Sequence, residues 1–122
     1  MDLNFFKQTR ILDGGMGQEL LARGMEPYGT IWSANAILNE NYHQLLLDTH
    51  RDFVKAGAEV IVTTTFTTRR KRLKENNIED KFEYLNKKAG EIANQLKKEF
   101  PNLLIAGGLP PQELTYEADD RS

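Results

Sequence analysis

The sequence predicts an α/β fold with about three parallel strands joined by crossover helices. Two observations carry this. Short strand-like runs occur at 10–13, 59–66 and 103–106, the second of them rich in β-branched residues. Between them lie longer stretches with helical apolar spacing, at 41–56 and 79–99. Consecutive strands linked by helices form right-handed βαβ units, and these make a parallel sheet. At 122 residues the chain is expected to form a single domain, 1–122.

Residues 1–9 read as a lead-in, with Phe5 and Phe6 available to plug one end of a core. Residues 10–13 are the first strand. Met16 to Arg23 reads as a short helix stopped near Gly24. Pro27 and Gly29 mark Met25 to Thr30 as loop, and Ser33 is a candidate N-cap for a helical turn over 33–38. In 41–56, Tyr42, Leu45, Leu46, Thr49, Phe53 and Ala56 recur at three- and four-residue steps and give one apolar face. Glu59 to Phe66 is the second strand, buried on both faces at its start. Residues 67–76 read as a basic helical segment. In 79–99, Phe82, Leu85, Ala89, Ile92 and Leu96 repeat at helical steps until Pro101 ends the helix. Leu103 to Ala106 is the third strand. The polar tail 112–122 has no core face and is expected to fray.

Composition removes several function classes. Sixteen basic and eighteen acidic residues give a net charge of −2, so no general attraction to nucleic acid or anionic lipid follows. The chain has no cysteine, which excludes disulfides, thiolate zinc sites and a cysteine nucleophile within it and suits a cytoplasmic location. No apolar run approaches the roughly 20 residues of a membrane span. The N-terminus lacks the basic region and apolar core of a signal peptide.

The stretch Arg10 to Leu20 is where chemistry is expected. A strand ends, a glycine turn follows, and a helix begins; small ligands sit at such junctions. Asp13 places one carboxylate at the mouth. Gly14, Gly15 and Gly17 let a ligand approach the backbone and tolerate positive φ. Amide groups opening the next helix suit an anion. One end of the turn thus suits an ammonium and the other a carboxylate, as an amino acid needs. The competing reading is a tight turn with Asp13 capping the helix.

Other motifs carry less. His43 and His50 lie seven apart on one helix, whereas a helical zinc pair prefers a spacing of four. The run Arg69-Arg70-Lys71-Arg72 lacks interleaved aromatics and reads as a solvated helix face. Gly15-x-Gly17 lacks the third glycine of a dinucleotide fingerprint.

Several motifs in register carry a resemblance. They are Ile11 to Leu20, Trp32-Ser33-Ala34, His50 to Phe53 with Ala56 to Ile61, Thr63-Thr64-Thr65-Phe66, and Ala106 to Pro111. Together they resemble the N-terminal part of the homocysteine S-methyltransferase family, which includes betaine-dependent enzymes and the homocysteine domain of cobalamin-dependent methionine synthase. The likeness runs from about residue 10 to residue 116. It implies a (β/α)8 barrel, which needs roughly 250 residues, so this chain is a partial barrel ending after its third strand. It implies methyl transfer to the homocysteine thiol, giving methionine, with zinc held by cysteine thiolates from later strands. None of those ligands is in this chain, so no cofactor and no metal residue are expected here.

What carries over from the family is the amino-acid-binding end. Asp13, Gly14 and Gly15 would hold the amine and carboxylate of homocysteine, and Thr65 and Phe66 would line the pocket. Gly108 stands where many relatives have serine, and Thr64 where asparagine is frequent. Two readings follow. In the first the chain is a truncated or split methyltransferase, inactive alone, with a C-terminal half-barrel as partner. In the second it is a non-catalytic half-barrel or amino-acid-binding module that self-associates, because three strands leave both sheet edges open.

Overall fold

The structure, a computed structural model, describes residues 3–111. After a 3-10 turn at Leu3–Lys7, the helices are α1 (Met16–Ala22), α2 (Asn35–Leu38), α3 (His43–Lys55), α4 (Arg70–Glu75) and α5 (Phe82–Asn94). The strands are β1 (Val60–Val62) and β2 (Leu104–Ala106). They pair in parallel, Val60 opposite Leu104, Ile61 opposite Ile105 and Val62 opposite Ala106. The βαβ connection through α4 and α5 is the one the helical spacing predicts.

The predicted first strand is reduced to a single parallel bridge between Leu12 and Val60. Asp13 N–H donates to Val60 O at 3.1 Å, and Glu59 N–H donates to Ile11 O at 2.8 Å. The segment therefore runs beside β1 in the expected place. Among the described residues it has a neighbour on one side only, and Ile11 and Leu12 are more than half exposed. Pairing, not composition, makes a strand, and an edge with one partner pairs over few residues.

The second strand is also shorter than 59–66. Its start is buried as expected, with Val60 4% and Ile61 0% exposed. Beyond Val62 the chain turns, with Thr65 N–H on Thr63 O at 2.8 Å and the Thr68 hydroxyl on Thr65 O at 3.1 Å. Threonines bond locally as readily as they extend.

The long helix 79–99 is continuous in path, with α5 flanked by 3-10 turns at Glu79–Lys81 and Gln95–Lys98. Leu85, Ala89, Ile92 and Leu96 are all buried on its predicted face. They join two apolar clusters. One gathers α1 to α5 around Leu20, Ile37, Leu46, Leu73 and Leu85. The other sets Ile61 against Ala93, Leu96 and Leu103. Phe5 and Phe6 plug neither cluster, since no residue of Leu3–Lys7 is buried. Ser33 caps no helix, because α2 follows directly from a 3-10 turn at Trp32–Ala34. The expected frayed tail, 112–122, lies outside the described residues.

Candidate ligand site at the carboxyl edge of the sheet

Asp13 stands where the bridged segment and β1 both end. Its Oδ2 accepts a hydrogen bond from Val62 N–H at 3.2 Å. The helix-capping reading is therefore excluded: Gly15, not Asp13, is the N-cap of α1, and no side chain caps it. Burial raises the Asp13 carboxyl above its ordinary value, and the Val62 amide pulls the other way. A half-buried carboxylate held by the backbone N–H groups of Val62 and of Asp13 itself has acceptor capacity left for a cation.

The glycines serve closeness rather than positive φ. None of Gly14, Gly15 and Gly17 has φ in the left-handed region. A Cβ on Gly14 would lie 3.0 Å from the Phe53 ring on α3, so the turn is packed tightly onto that helix. A Cβ on Gly15 would meet nothing within 4 Å, leaving its backbone open.

A cleft of about 710 Å³ opens over this turn. Asp13 to Gln18 floor it, Val62 to Thr64 and Phe66 form one wall, and Met25, Pro27 to Gly29 and Trp32 form the other. Phe66 is part of the first of these walls. It stacks on Trp32 with ring centres 6.1 Å apart and planes 8° from parallel. Thr65 does not line the cleft. Its hydroxyl turns to the loop after β2 and donates to Gly108 O at 3.3 Å. A Cβ on Gly108 would come within 3.1 Å of that oxygen, so the two positions share one space.

The sequence reading gives Thr64 no role, the two histidines no metal role and the basic run a solvated helix face. Thr64 is buried in the cleft wall, and its Oγ1 lies 3.5 Å from Nε2 of the fully buried His50. Burial lowers the His50 pKa to about 4, so the ring is neutral. His43 is placed apart, with Nε2 2.7 Å from Ile37 O. The basic run is not a uniformly solvated face: Arg70 and Lys71 are exposed, but Arg69 and Arg72 are each 6% exposed. Arg69 lies toward Phe66, 5.9 Å from the ring centre, and donates to Pro111 O. Arg72 lies over Trp32 at 5.1 Å. The single tryptophan just after the Pro/Gly loop is the visible signal; its partner Arg72, 40 residues on, is not.

The zinc that the resemblance implies finds no suitable donors here. The chain has no cysteine, and among the described residues no three His, Asp or Glu side chains group to hold a metal ion. The residues present do not fit that ion. Among the described residues no helix is long and apolar enough to cross a membrane.

Fold and site together define an α/β chain with an acidic, glycine-floored cleft at the carboxyl edge of parallel strands. A family model described as homocysteine S-methyltransferase matches residues 10–121. The chain belongs to the homocysteine S-methyltransferase family. It is 34% identical over 78 residues to homocysteine S-methyltransferase 2 of Saccharomyces cerevisiae, covering 57% of this chain and 24% of that protein. It is 31% identical over 109 residues to the S-methylmethionine–homocysteine S-methyltransferase BHMT2 of Rattus norvegicus, covering 88% and 28%. The metallated form of the homocysteine methyltransferase MmuM from Escherichia coli is similar in structure. There the TM-score is 0.74 at 27% identity, over 89% of this chain and 40% of that one. The chain thus spans about a quarter of the length of these curated relatives.

Proposed function

We propose that this chain is the homocysteine-gripping part of a (β/α) barrel, and that these 122 residues alone carry out no methyl transfer. The observation that supports it is the Asp13 carboxylate facing a roomy cleft, held by Val62 N–H above a floor of glycine backbone. The homocysteine ammonium pairs with Asp13. The backbone of Gly14 and Gly15 receives its carboxylate. The thiol arm runs along the Phe66 and Trp32 rings. Catalysis awaits groups that these residues do not supply, offered by a C-terminal half-barrel. We place the protein in the cytoplasm. Calorimetric titration with homocysteine tests binding, and methionine production from homocysteine and S-methylmethionine tests inactivity. Binding without turnover is the expected result; turnover by the chain alone, or no binding, overturns the reading.

A second reading, self-association, is favoured by the uncovered apolar edge at Ile11 and Leu12. Light scattering should then show a dimer or larger species that Leu12→Lys converts to monomer. A wild-type monomer at micromolar concentration sinks this version and leaves the half-barrel partner.

A further inference from the structure

The stretch 25–31 that leads into the 3-10 turn of Trp32 has no regular structure of its own, yet its polar groups are held from far along the chain. Asn76, just past α4, uses both ends of its amide on Thr30. Its Nδ2 donates to the Thr30 hydroxyl at 2.9 Å, and its Oδ1 accepts from Thr30 N–H at 3.2 Å. Arg72 Nη1 donates to Thr30 O at 3.0 Å, and the Thr67 hydroxyl donates to Ile31 O. Asn76 is itself oriented by a 2.9 Å bond to Arg72 O. The polar groups of Thr30 and the carbonyl of Ile31 are thus taken by side chains of the α4 region.

The next residue is Trp32, whose φ is +47°. A bulky residue in the left-handed region persists only where its surroundings impose it. Gly29, with φ +51°, marks the other end of the clamp: a Cβ there would fall 2.2 Å from Asn76 Oδ1. The Arg72 guanidinium also packs over the Trp32 ring, while Phe66 stacks on that ring. One helix end therefore sets both the backbone and the ring of Trp32.

We propose that Arg72 and Asn76 are positioning residues for the cleft: they clamp the 29–31 loop so that Trp32 stays stacked on Phe66 as a preformed wall for the ligand. This role rests on the cleft being the homocysteine site. Preforming the wall removes an ordering cost from binding.

Trp32 is the only tryptophan in the chain, so fluorescence excited beyond the tyrosine absorption band reports on this wall alone. Asn76→Ala and Arg72→Lys are compared with the wild type by acrylamide quenching, well below each variant's melting midpoint, where global unfolding does not contribute. The quenching constant should rise about twofold in both as the loop opens locally, with emission shifting to the red. Homocysteine affinity, by calorimetry, should fall about fivefold, the effect of one lost neutral hydrogen bond. Gly29→Ala should raise quenching in the wild type and less in Asn76→Ala, where the clash with the Asn76 side chain is gone and only the backbone strain at φ +51° is left. Should Arg72→Lys not fold, Asn76→Ala at its half-buried site decides. Unchanged quenching in folded Asn76→Ala overturns the clamp. Absence of homocysteine binding by the wild type overturns the ligand reading instead, with quenching still deciding the clamp.

Discussion

Ile61 and Ile105 point from the sheet toward the helices and pack with Ala93, Leu96 and Leu103. Val60 and Leu104 alternate to the other face, and so does Leu12, which pairs with Val60. The composition of the two faces is alike, but their environments are not. On the helix side Ile61 is fully buried; on the other Val60 is also buried, at 4% exposed, but its edge partner Leu12 is 58% exposed. The helix face holds the fold together. The opposite face and the carboxyl edge above it hold the cleft and an apolar margin for a partner. Stability and ligand binding should therefore respond to different substitutions.

The largest effect is expected where the helix side is densest. Leu46 on α3 is fully buried in the cluster with Leu20, Leu73 and Leu85. Leu46→Ala should cost about 3 kcal/mol through lost burial and the cavity left behind. Leu12→Ala removes a mostly exposed side chain and should cost less than about 1 kcal/mol. Denaturant melts of both variants measure the contrast. Equal losses would show that the Leu12 face is covered in solution, and so point to association.

A second contrast is in pH. His50 is fully buried behind the cleft wall, and burial lowers its pKa from 6.5 to about 4. Above pH 6.5 both folded and unfolded chains hold the ring neutral, so it costs nothing. Between 6.5 and about 4 the unfolded chain takes up a proton that the folded chain refuses, and stability falls as pH falls. Spread over that window the loss approaches about 3 kcal/mol. His50→Gln should flatten this part of the stability–pH curve. An unchanged slope would mean that other groups, and not the buried ring, set acid sensitivity.

At the cleft the order of effects reverses. Asp13→Asn keeps an acceptor for Val62 N–H and removes a charge that burial disfavours, so stability should barely change or rise slightly. Homocysteine binding should weaken about tenfold or more, because a charge-assisted contact to the ammonium is lost. Calorimetry beside a thermal melt separates the two. A large melting shift with unchanged binding would make Asp13 a structural residue of the strand end.

These contrasts also show what a one-dimensional reading can reach. Helical spacing located α3 and α5 and their buried faces at Leu46, Leu85, Ala89, Ile92 and Leu96, because period is a local property. It overextended the strands at 10–13 and 63–66, because a ladder needs a neighbour that composition does not report. Asp13 was legible as the one charge at a strand-to-helix glycine turn. Its bond to Val62, 49 residues away, was not. Thr65 is expected in the pocket from the family resemblance, while the turn after β1 sends its hydroxyl to Gly108 O. The Trp32 wall depends on Arg72 and Asn76, and nothing local at 29–32 names those partners.

The smallest effect tests whether charge contributes to joining the layers. Arg23, just past α1, donates to Glu19 at 3.0 Å and to Asp52 of α3 at 2.8 Å. It is the bridge between the glycine-turn helix and the helix behind it. All three side chains are partly open to water, at 28%, 42% and 51% of their full exposure. Solvent screens such pairs, and ordering the long side chains offsets much of the attraction. Arg23→Ala should therefore cost no more than about 0.5 kcal/mol, less still in high salt, and should leave homocysteine affinity unchanged. A loss comparable to that of Leu46→Ala would mean that the ion pairs, not Leu20 in the apolar cluster, seat α1 and hence the turn that carries Asp13.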